Sequence, residues 1–257
     1  MTFSDENVTI CPMFKRYGQV LLNLLFPRNC HICSQLLSGR VAGFDNHLCW
    51  DCYSSMKRCA PVSCRLCGLP LENEREKQEN ICRACRKNTP SYDRLLSCYL
   101  YQGNVRKLIH RFKYENRPYL AKTIGRLILK TLPKEWFSGY DALVPVPLHP
   151  VRHREREYNQ AELVLNVLAR AAGKPLAPVL LRKKNTRPLS ELKKQDRLRA
   201  LTGAFGLDPK QASLLRGKRV LLFDDIVTSV STARLASHVL ASQAGCRSVS
   251  VLSFARG

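Results

Sequence analysis

The sequence has no run of about 20 apolar residues, and this absence excludes a membrane-spanning helix. It is also poor in acidic residues: 20 Asp and Glu stand against 42 Lys and Arg, so the formal net charge is +22. Such an excess of positive charge indicates an anionic partner, such as a polyphosphate, a nucleic acid or an anionic lipid surface. The first ten residues contain Asp5 and Glu6 but no basic segment, so we expect no secretory signal.

Cysteine, in contrast, is abundant, with 12 residues in the chain. Eight of them form four Cys-x-x-Cys pairs. Fifteen residues separate the first pair from the second, and fourteen separate the third pair from the fourth. This spacing is typical of a zinc ribbon, in which two pairs supply four thiolates to one tetrahedral ion. Four protein ligands leave no position for a bound water, so we expect two structural Zn²⁺ sites. Each ion is bound either by two consecutive Cys-x-x-Cys pairs or, in an interleaved cross-brace, by alternate pairs. The expected ligands are Cys30, Cys33, Cys49, Cys52, Cys64, Cys67, Cys82 and Cys85.

Metal-bound thiolates indicate a reducing compartment, and we therefore expect a cytoplasmic protein. The cysteine-rich segment contains few apolar residues of its own, so we expect zinc to support its folding. Residues 72–80, between the third and fourth pairs, are charged and mostly acidic, which predicts a solvated loop. Residues 20–26, before the first pair, are apolar and predict an amphipathic helix that leads into the ribbons.

The most informative stretch begins at residue 220, where four apolar residues lead into Asp224 and Asp225. A short all-apolar run of this kind predicts a strand that is buried on both faces, as in a parallel sheet. A hydroxyl-rich segment follows at residues 228–232, and residues 233–244 then have helical periodicity. This order predicts an anion site, because the free N–H groups and the positive end of the helix dipole point towards the loop.

Similar patterns occur earlier in the chain. Strands are predicted at residues 95–101, 142–146, 176–181 and 248–254, and helices at residues 105–112, 119–132 and 161–172. Pro145 and Pro147 must end the second of these strands, because proline cannot donate to a central ladder. We therefore expect an α/β fold, a parallel sheet with helices on both faces, preceded by a small cysteine-rich double zinc ribbon. The expected domains are residues 1–29 as an N-terminal amphipathic region, 30–90 as the ribbons and 91–257 as the α/β domain.

Residues 220–232 resemble the ribose-5-phosphate loop of the type I phosphoribosyltransferases, an apolar run followed by two acidic residues and a turn rich in Thr, Ser and Gly. The resemblance implies a type I phosphoribosyltransferase-like sheet that binds phosphoribosyl pyrophosphate with Mg²⁺. It also implies that Asp224 and Asp225 hold the two ribose hydroxyls. The loop that would hold the 5′-phosphate consists of Thr228, Ser229, Val230, Ser231 and Thr232.

Motifs in the rest of the chain narrow the resemblance to one family. After the Cys-x-x-Cys pairs come Lys-Tyr at residues 113–114, Val-Pro-Val-Pro-Leu at 144–148, and spaced arginines before Asn-Gln at 159–160. In this order, and with the acidic pair near the end, they resemble the ComF family of competence proteins, from about residue 21 to 256. The resemblance implies a double zinc ribbon ahead of a phosphoribosyltransferase-like domain. It further implies uptake of single-stranded DNA during natural transformation, with a competence helicase and recombination proteins as partners.

Cationic residues are expected to share the predicted site. In an open parallel sheet, ligands bind beyond the carboxyl ends of the strands, and the Pro145 turn lies at such an end. Residues 182–188 are strongly basic and precede a predicted helix at 191–201; in type I phosphoribosyltransferases a mobile loop in this region closes over the pyrophosphate. The cations expected to screen the leaving pyrophosphate are Lys113, Arg152 and Arg156.

The chain departs from the family pattern at four positions. Val230 replaces the usual glycine of the phosphate loop, and Glu157 replaces the glycine of an Arg-Gly-Phe-Asn-Gln motif. Leu189 and Ala200 stand where Gln and Asn are usual in the basic loop. Because a β-branched residue is strained at positive φ and blocks close approach to the backbone, we expect Val230 to weaken phosphate binding.

Three functions are consistent with these features. The first is a phosphoribosyltransferase, that is, a pentosyl-transferring glycosyltransferase, in which a nucleophile attacks C1′ as pyrophosphate leaves; no feature identifies the acceptor. The second is a DNA-handling protein that binds single strands through its ribbons and its positive charge. The third is a zinc-stabilised scaffold whose enzyme site has decayed.

Overall fold

A computed structural model describes residues 28–37, 41–184, 203–209 and 211–257 of the chain. The helices predicted at residues 20–26 and 191–201, together with Leu189 and Ala200, lie outside these ranges. The chain divides into two compact units, Met1–Tyr53 and Ser54–Gly257, and each contains one of the two cysteine ribbons. None of the helices in the described ranges combines the length and the apolar composition that crossing a membrane requires.

Most of the described helices and strands belong to the second unit. The helices are α1 (Trp50–Ser54), α2 (Glu74–Glu79), α3 (Arg83–Lys87), α4 (Gly103–Tyr114), α5 (Leu120–Thr131), α6 (Pro150–Arg156), α7 (Gln160–Ala172) and α8 (Ser231–Ser242). The strands are β1 (Arg94–Leu100), β2 (Ala142–Pro145), β3 (Leu180–Arg182), β4 (Phe205–Leu207), β5 (Arg219–Val227) and β6 (Ser248–Arg256). Short 3₁₀ segments occupy Lys134–Gly139 and Ala212–Leu215.

Four strands form a parallel sheet in the order β1-β6-β5-β2. Phe223 of β5 is paired with Leu252 of β6 on one side and with Pro145 of β2 on the other. The inner position of β5 explains its all-apolar sequence, because a strand within a covered parallel sheet is buried on both faces. β5 runs farther than predicted, through the acidic pair to Val227, because its ladder with β6 continues that far.

The two faces of β5 are covered by different helices. Val220 and Leu222 are fully buried in one cluster with Ala236 and Leu240 of α8. Leu221 points to the opposite face, because successive side chains of a strand alternate. On that face α7 packs against β2 and β5. The predicted α/β class, with a parallel sheet and helices on both faces, is therefore confirmed.

The second ribbon, residues 64–85, packs into the core of the α/β unit. Leu66 and Leu71 of the ribbon are buried in one hydrophobic cluster with Leu95 of β1 and Val251 of β6. Burial of leucine side chains stabilises such an arrangement by about 1.5–3 kcal/mol each. The folding of this ribbon is therefore tied to the folding of the sheet.

The strand predicted at residues 176–181 is interrupted in the structure. Leu176 makes a single parallel bridge to Leu143 of β2, whereas β3 pairs with β4 in a separate antiparallel sheet. Pro178 lies between these positions and has no N–H to donate, so one continuous ladder cannot form over the segment.

The acidic segment at residues 72–80 is not a loop, because it contains α2. The Asn73 side chain caps this helix by accepting a hydrogen bond from the Glu76 N–H at 3.0 Å. Glu76 itself is buried, and its carboxylate accepts a hydrogen bond from the Arg83 N–H at 2.7 Å. A capping residue followed three positions later by Glu is a helix-start signal, and here it outweighs the high charge of the segment.

Candidate functional site

The eight paired cysteines form two separate clusters. In each cluster the four Sγ atoms all lie within 4.8 Å of one another, with Cys30, Cys33, Cys49 and Cys52 in the first and Cys64, Cys67, Cys82 and Cys85 in the second. Cys33 and Cys49 Sγ are 3.9 Å apart, and Cys67 and Cys82 Sγ are 3.7 Å apart. Thiolates around one tetrahedral Zn²⁺, each about 2.3 Å from the ion, lie about 3.8 Å apart. The pairing is thus sequential, and the interleaved alternative is wrong.

Backbone N–H groups support the sulfur ligands in both clusters. Cys30 Sγ accepts hydrogen bonds from the N–H groups of Ile32 and Cys49, both at 3.5 Å. In the second cluster, Cys64 Sγ accepts one from the Cys82 N–H at 3.3 Å. Such donors stabilise thiolates, so the donor set and its surroundings fit two structural zinc ions.

A cavity of about 780 Å³ opens where the carboxyl ends of β2 and β5 meet. This is the place at which an open parallel sheet binds ligands. Of the ten residues predicted to contact a substrate, seven line this cavity: Lys113, Arg152, Arg156, Asp224, Asp225, Thr228 and Thr232. The remaining three, Ser229, Val230 and Ser231, lie between Thr228 and Thr232 but do not line it.

The acidic pair sits within β5, so its two side chains diverge. Asp225 Oδ2 lies 2.7 Å from Lys113 Nζ of α4, and the two side chains are only 9% and 16% exposed. Asp224 accepts a hydrogen bond from the Asp225 N–H at 2.9 Å. One carboxylate is therefore paired with a cation, and the other is held by the backbone at the cavity wall.

The pKa of Asp224 is raised to about 7, chiefly by burial and also by the negative charge of Asp225. The charges of Lys113 and Arg182 and the hydrogen bond from the Asp225 N–H act in the opposite direction. Burial dominates because a carboxylate loses hydration that these partners only partly replace. The cavity thus holds a carboxyl group whose charge is incompletely compensated, which suits an incoming cation or a hydroxyl donor.

The turn after β5 has an ordinary backbone conformation. Val230 occupies the N-cap position of α8 with φ −73° and ψ 5°, and its side chain packs against the hydrophobic core. The expectation of strain at Val230 is therefore wrong, because the turn requires no positive φ there and the side chain points away from the cavity. Ser229 Oγ donates a hydrogen bond to Ser231 Oγ at 3.4 Å, within the turn. Thr228 and Thr232 bring the start of α8 to the cavity.

Glu157, unlike Val230, has a positive φ angle. It ends α6 with φ 64° and ψ −14°, in the left-handed region that glycine occupies without strain. Its carboxylate accepts a hydrogen bond from Asn116 Nδ2 at 2.8 Å. At this position the absence of glycine therefore places a residue with a side chain in a strained backbone conformation.

A cationic wall faces the acidic pair across the cavity. His149 and Pro150 start α6, which follows directly after β2 and presents Arg152 and Arg156 to the cavity. Arg156 lies 5.2 Å from the ring centre of Tyr114 and donates a hydrogen bond to Gln160 Oε1 at 3.3 Å. These contacts hold the guanidinium in place before any anion arrives.

Sequence reasoning missed several residues of the cavity wall, among them Tyr114, Gln160 and Arg182. Arg182 ends β3 with its guanidinium 5.5 Å from the Phe205 ring centre, and burial lowers its pKa. Its position at the head of the basic segment was the available signal. Gln160 is 2% exposed at the start of α7. Tyr114 and Gln160 belong to motifs quoted above, but nothing in the sequence assigned them a role.

Comparison with known protein families matches residues 21–86 to the double zinc ribbon domain. Competence protein ComFC of Bacillus subtilis is 29% identical over 218 residues, which are 82% of this chain and 85% of that protein. Competence protein F of Haemophilus influenzae is 30% identical over 200 residues, which are 76% of this chain and 84% of that protein. DNA utilization protein YhgH of Escherichia coli K12 is 28% identical over 222 residues, which are 84% of this chain and 92% of that protein.

Among solved structures, the chain is similar to the allosteric regulatory enzyme of purine biosynthesis, with a TM-score of 0.38 and 19% identity. The similarity covers 56% of this chain and 29% of that one.

Proposed function

The chain belongs to the ComF family of competence proteins, and on this premise we propose that its cavity binds phosphoribosyl pyrophosphate together with Mg²⁺. One observation carries the proposal: the acidic pair of β5, the hydroxyl turn and the start of α8 line a single cavity with several cations. Carboxylates suit the hydroxyls of a ribose, whereas a helix N-terminus and cations suit its phosphates.

Each part of the ligand has a complementary wall. Asp224 and Asp225 accept hydrogen bonds from the ribose hydroxyls. The Thr228 and Thr232 hydroxyls, with N–H groups of the first turn of α8, hold the 5′-phosphate, and Val230 has no polar side chain to compete for those N–H groups. The pyrophosphate faces cationic residues of the cavity, among them Lys113, Arg152, Arg156 and Arg182.

The acidic pair also fits a divalent cation bound with the ligand. Mg²⁺ is usually held by one or two carboxylates plus phosphate oxygens, and Asp224 is a half-buried carboxyl group with incomplete charge compensation. Bound Mg²⁺ would supply charge neutralisation for the pyrophosphate.

The reaction class is transfer of the phosphoribosyl group. The bond between C1′ and the pyrophosphate oxygen breaks, its electron pair leaves with the pyrophosphate, and a nucleophile forms the new bond to C1′. Positive charge develops on the ribose, and the carboxylates of Asp224 and Asp225 stabilise it. Arg152, Arg156 and Lys113 screen the negative charge of the departing group.

Calorimetric titration of phosphoribosyl pyrophosphate with Mg²⁺ into the zinc-loaded protein tests the proposal. We expect saturable binding by the natural chain and loss of binding in Asp224→Asn/Asp225→Asn. Asp93→Asn is the matched control, since Asp93 is exposed and does not line the cavity. Absence of binding by the natural chain, with both ribbons zinc-loaded, contradicts the proposal.

A second candidate function, handling of single-stranded DNA, is favoured by charge and by an exposed ring. The net charge is +22, and the matched relatives carry the names competence protein and DNA utilization protein. Trp50 of the first ribbon is 38% exposed, and its ring centre lies 5.8 Å from that of Tyr53. Exposed aromatic rings on a basic protein suit base stacking.

Fluorescence anisotropy of a labelled single strand with the full chain tests this candidate. We expect affinity to fall as salt rises and Trp50→Ala to weaken binding about tenfold. Leu36→Ala is the control, because Leu36 is equally apolar and 58% exposed in the same unit but cannot stack on a base. Binding of DNA without binding of phosphoribosyl pyrophosphate would favour a zinc-stabilised DNA-binding or scaffold protein with a decayed enzyme site.

A further inference from the structure

The last residue of β6, Arg256, connects two parts of the molecule that have separate chemistry. It is only 7% exposed. Its Nε donates a hydrogen bond to the carbonyl of Cys67 at 2.8 Å. Its Nη1 donates to the carbonyls of Val227 and Thr228, both at 2.9 Å. One buried side chain thus touches a residue of the second zinc cluster, the last residue of β5 and the first residue of the turn before α8.

The surroundings of Arg256 keep this connection short. Gly68, the residue after Cys67, has φ +71°, and a Cβ atom there would lie 3.6 Å from Arg256 Cδ and 3.3 Å from Leu95 Cδ2. A side chain at this position would therefore be strained; it would crowd Leu95 and lie in van der Waals contact with the arginine stem. The knuckle of the second ribbon and the arginine are packed directly against each other.

The charge of Arg256 requires compensation, because a buried guanidinium loses its hydration. Within the described ranges, no Asp or Glu side chain forms an ion pair with it; its partners are the carbonyl oxygens of Cys67, Val227 and Thr228 and the backbone oxygen of Gly257. Four thiolates and one Zn²⁺ carry a net charge of about −2. Cys67 supplies both a ligand of that cluster and a carbonyl to Arg256, so zinc binding places this negative charge beside the buried guanidinium.

We propose that Arg256 is a positioning residue that links zinc binding in the second ribbon to ligand binding at the turn before α8. This inference rests on the proposed function, since it concerns the phosphate-binding turn. Zinc in the second cluster stabilises the arginine charge, and the arginine fixes the carbonyls of Val227 and Thr228. Fixed carbonyls orient the Thr228 hydroxyl and the turn at the cavity wall. Because linkage is reciprocal, bound ligand must raise zinc affinity as much as zinc raises ligand affinity.

The first measurement is zinc affinity, determined by competition with a chromogenic chelator. The full-length Cys30→Ser/Cys33→Ser variant is used so that the second ribbon is the remaining four-cysteine site. We expect saturating phosphoribosyl pyrophosphate with Mg²⁺ to raise its zinc affinity about tenfold, a usual size for coupling between two sites. Inorganic sulfate at the same ionic strength is the control for salt effects.

The second measurement adds Arg256→Met, which keeps the aliphatic stem but removes the charge and the donors. We expect ligand affinity to fall about tenfold and the effect of ligand on zinc affinity to disappear. Arg256→Lys restores the charge but not the two-sided hydrogen bonding, so it should recover part of the coupling. Circular dichroism and zinc stoichiometry show whether each variant is folded, and the first measurement requires no change at Arg256.

The outcomes separate the two proposals. If the natural chain binds phosphoribosyl pyrophosphate but the ligand does not change the zinc affinity of the Cys30→Ser/Cys33→Ser chain, the link through Arg256 is wrong and the proposed function stands. The same holds if Arg256→Met binds the ligand as tightly as the natural chain does. If the natural chain binds no ligand in direct calorimetry, the proposed function is wrong and the link falls with it.

Discussion

Lys113 Nζ of α4 lies 2.7 Å from Asp225 Oδ2 of β5, and both side chains are largely buried. The pair joins the helix after β1 to the inner strand of the sheet, so it spans residues that are far apart in the sequence. It also neutralises one carboxylate of the acidic pair before any ligand binds. A ribose or a cation that enters the cavity therefore meets two positioned carboxyl groups, of which only Asp225 has its charge neutralised by a cation.

The Lys113–Asp225 pair is expected to contribute to stability as well as to binding. Removal of one partner leaves a buried charge without compensation, so Lys113→Met should lower the free energy of unfolding by about 3 kcal/mol. In a double-mutant cycle with Asp225→Asn, the coupling energy should be roughly 1–3 kcal/mol. Urea unfolding at neutral pH measures both quantities. Lys113→Arg, which keeps the charge, is the control, and a coupling energy near zero would show that the two side chains are not paired in solution.

The raised pKa of Asp224 predicts that Asp224→Asn stabilises the ligand-free protein at alkaline pH. The pKa is about 7 in the folded state against 3.8 ordinarily, so the folded state holds the proton more tightly than the unfolded state does. The free energy of unfolding therefore falls as pH rises through this window, and the loss is complete above it. At about pH 8, Asp224→Asn should be more stable by on the order of 3 kcal/mol, and at about pH 5 the gain should be much smaller. Urea titrations at the two pH values measure the difference.

Asp141 provides a control of opposite sign. The Arg219 side chain approaches it at 2.9 Å and lowers its pKa. Because the folded-state pKa is depressed, the stability that Asp141 contributes is present above its unfolded pKa and is lost as pH falls. Asp141→Asn should therefore be less stable than the natural chain near neutral pH, and the difference should shrink in acid. If both Asp224→Asn and Asp141→Asn were more stable than the natural chain at alkaline pH, the gain could not be attributed to the raised pKa of Asp224.

The parts of this molecule that follow local rules could be predicted from the sequence. Cysteine spacing predicted both four-sulfur clusters, because two residues between thiols allow both to face one ion. The apolar run at β5 predicted an inner strand of a parallel sheet, because only such a strand is buried on both faces. The acidic pair and the turn before α8 were predicted to follow that strand; the pair instead lies within β5, and it lines the cavity together with Thr228 and Thr232 of the turn.

The parts that depend on distant contacts could not be predicted. No pattern near Lys113 shows that Asp225 is its partner, and no pattern near Arg256 shows that it reaches Cys67. Those contacts arise only when β1, β5 and β6 are assembled side by side. The premise of a positive φ at Val230 failed for a related reason, since a usual glycine suggests a positive φ but does not require one in every turn. Its φ of −73° is set by the way β5 enters α8.

Val230 and Glu157 allow a matched test of backbone strain. At Val230, where φ is −73°, Val230→Ala should be more stable than Val230→Gly by about 0.5–1 kcal/mol, because glycine loses more conformational freedom on folding. At Glu157, where φ is 64°, the order should reverse, and Glu157→Gly should exceed Glu157→Ala by about 1 kcal/mol. Each Ala–Gly comparison removes the same side chain, so the difference in stability reports on the backbone conformation at that position. Thermal unfolding of the four variants provides the measurement.

The same variants address ligand binding. Because Val230 already has an unstrained conformation and packs against the core, Val230→Gly should not increase affinity for phosphoribosyl pyrophosphate. Calorimetric titration of Val230→Gly beside the natural chain measures this. A large gain in affinity would mean that the turn adopts positive φ when the ligand binds, and it would restore the expectation drawn from the sequence.

Loss of zinc from the two ribbons should have different consequences for the α/β unit. Leu66 and Leu71 of the second ribbon are buried with Leu95 and Val251, whereas the first ribbon belongs to the other compact unit. Cys64→Ser/Cys67→Ser should therefore lower the free energy of unfolding of the sheet by about 3 kcal/mol or more, since a ribbon without metal does not hold its leucines in the core.

The two tryptophans of the chain separate these effects, because Trp50 lies between two ligands of the first cluster and Trp136 lies in the second unit. In a Trp50→Phe background, fluorescence follows Trp136 alone. Cys64→Ser/Cys67→Ser should lower the midpoint of urea unfolding that Trp136 reports. Cys30→Ser/Cys33→Ser, which removes the same number of thiols, should leave this midpoint unchanged. Equal shifts in the two variants would show that the second ribbon is no more closely tied to the sheet than the first, and the buried leucines would then need another explanation.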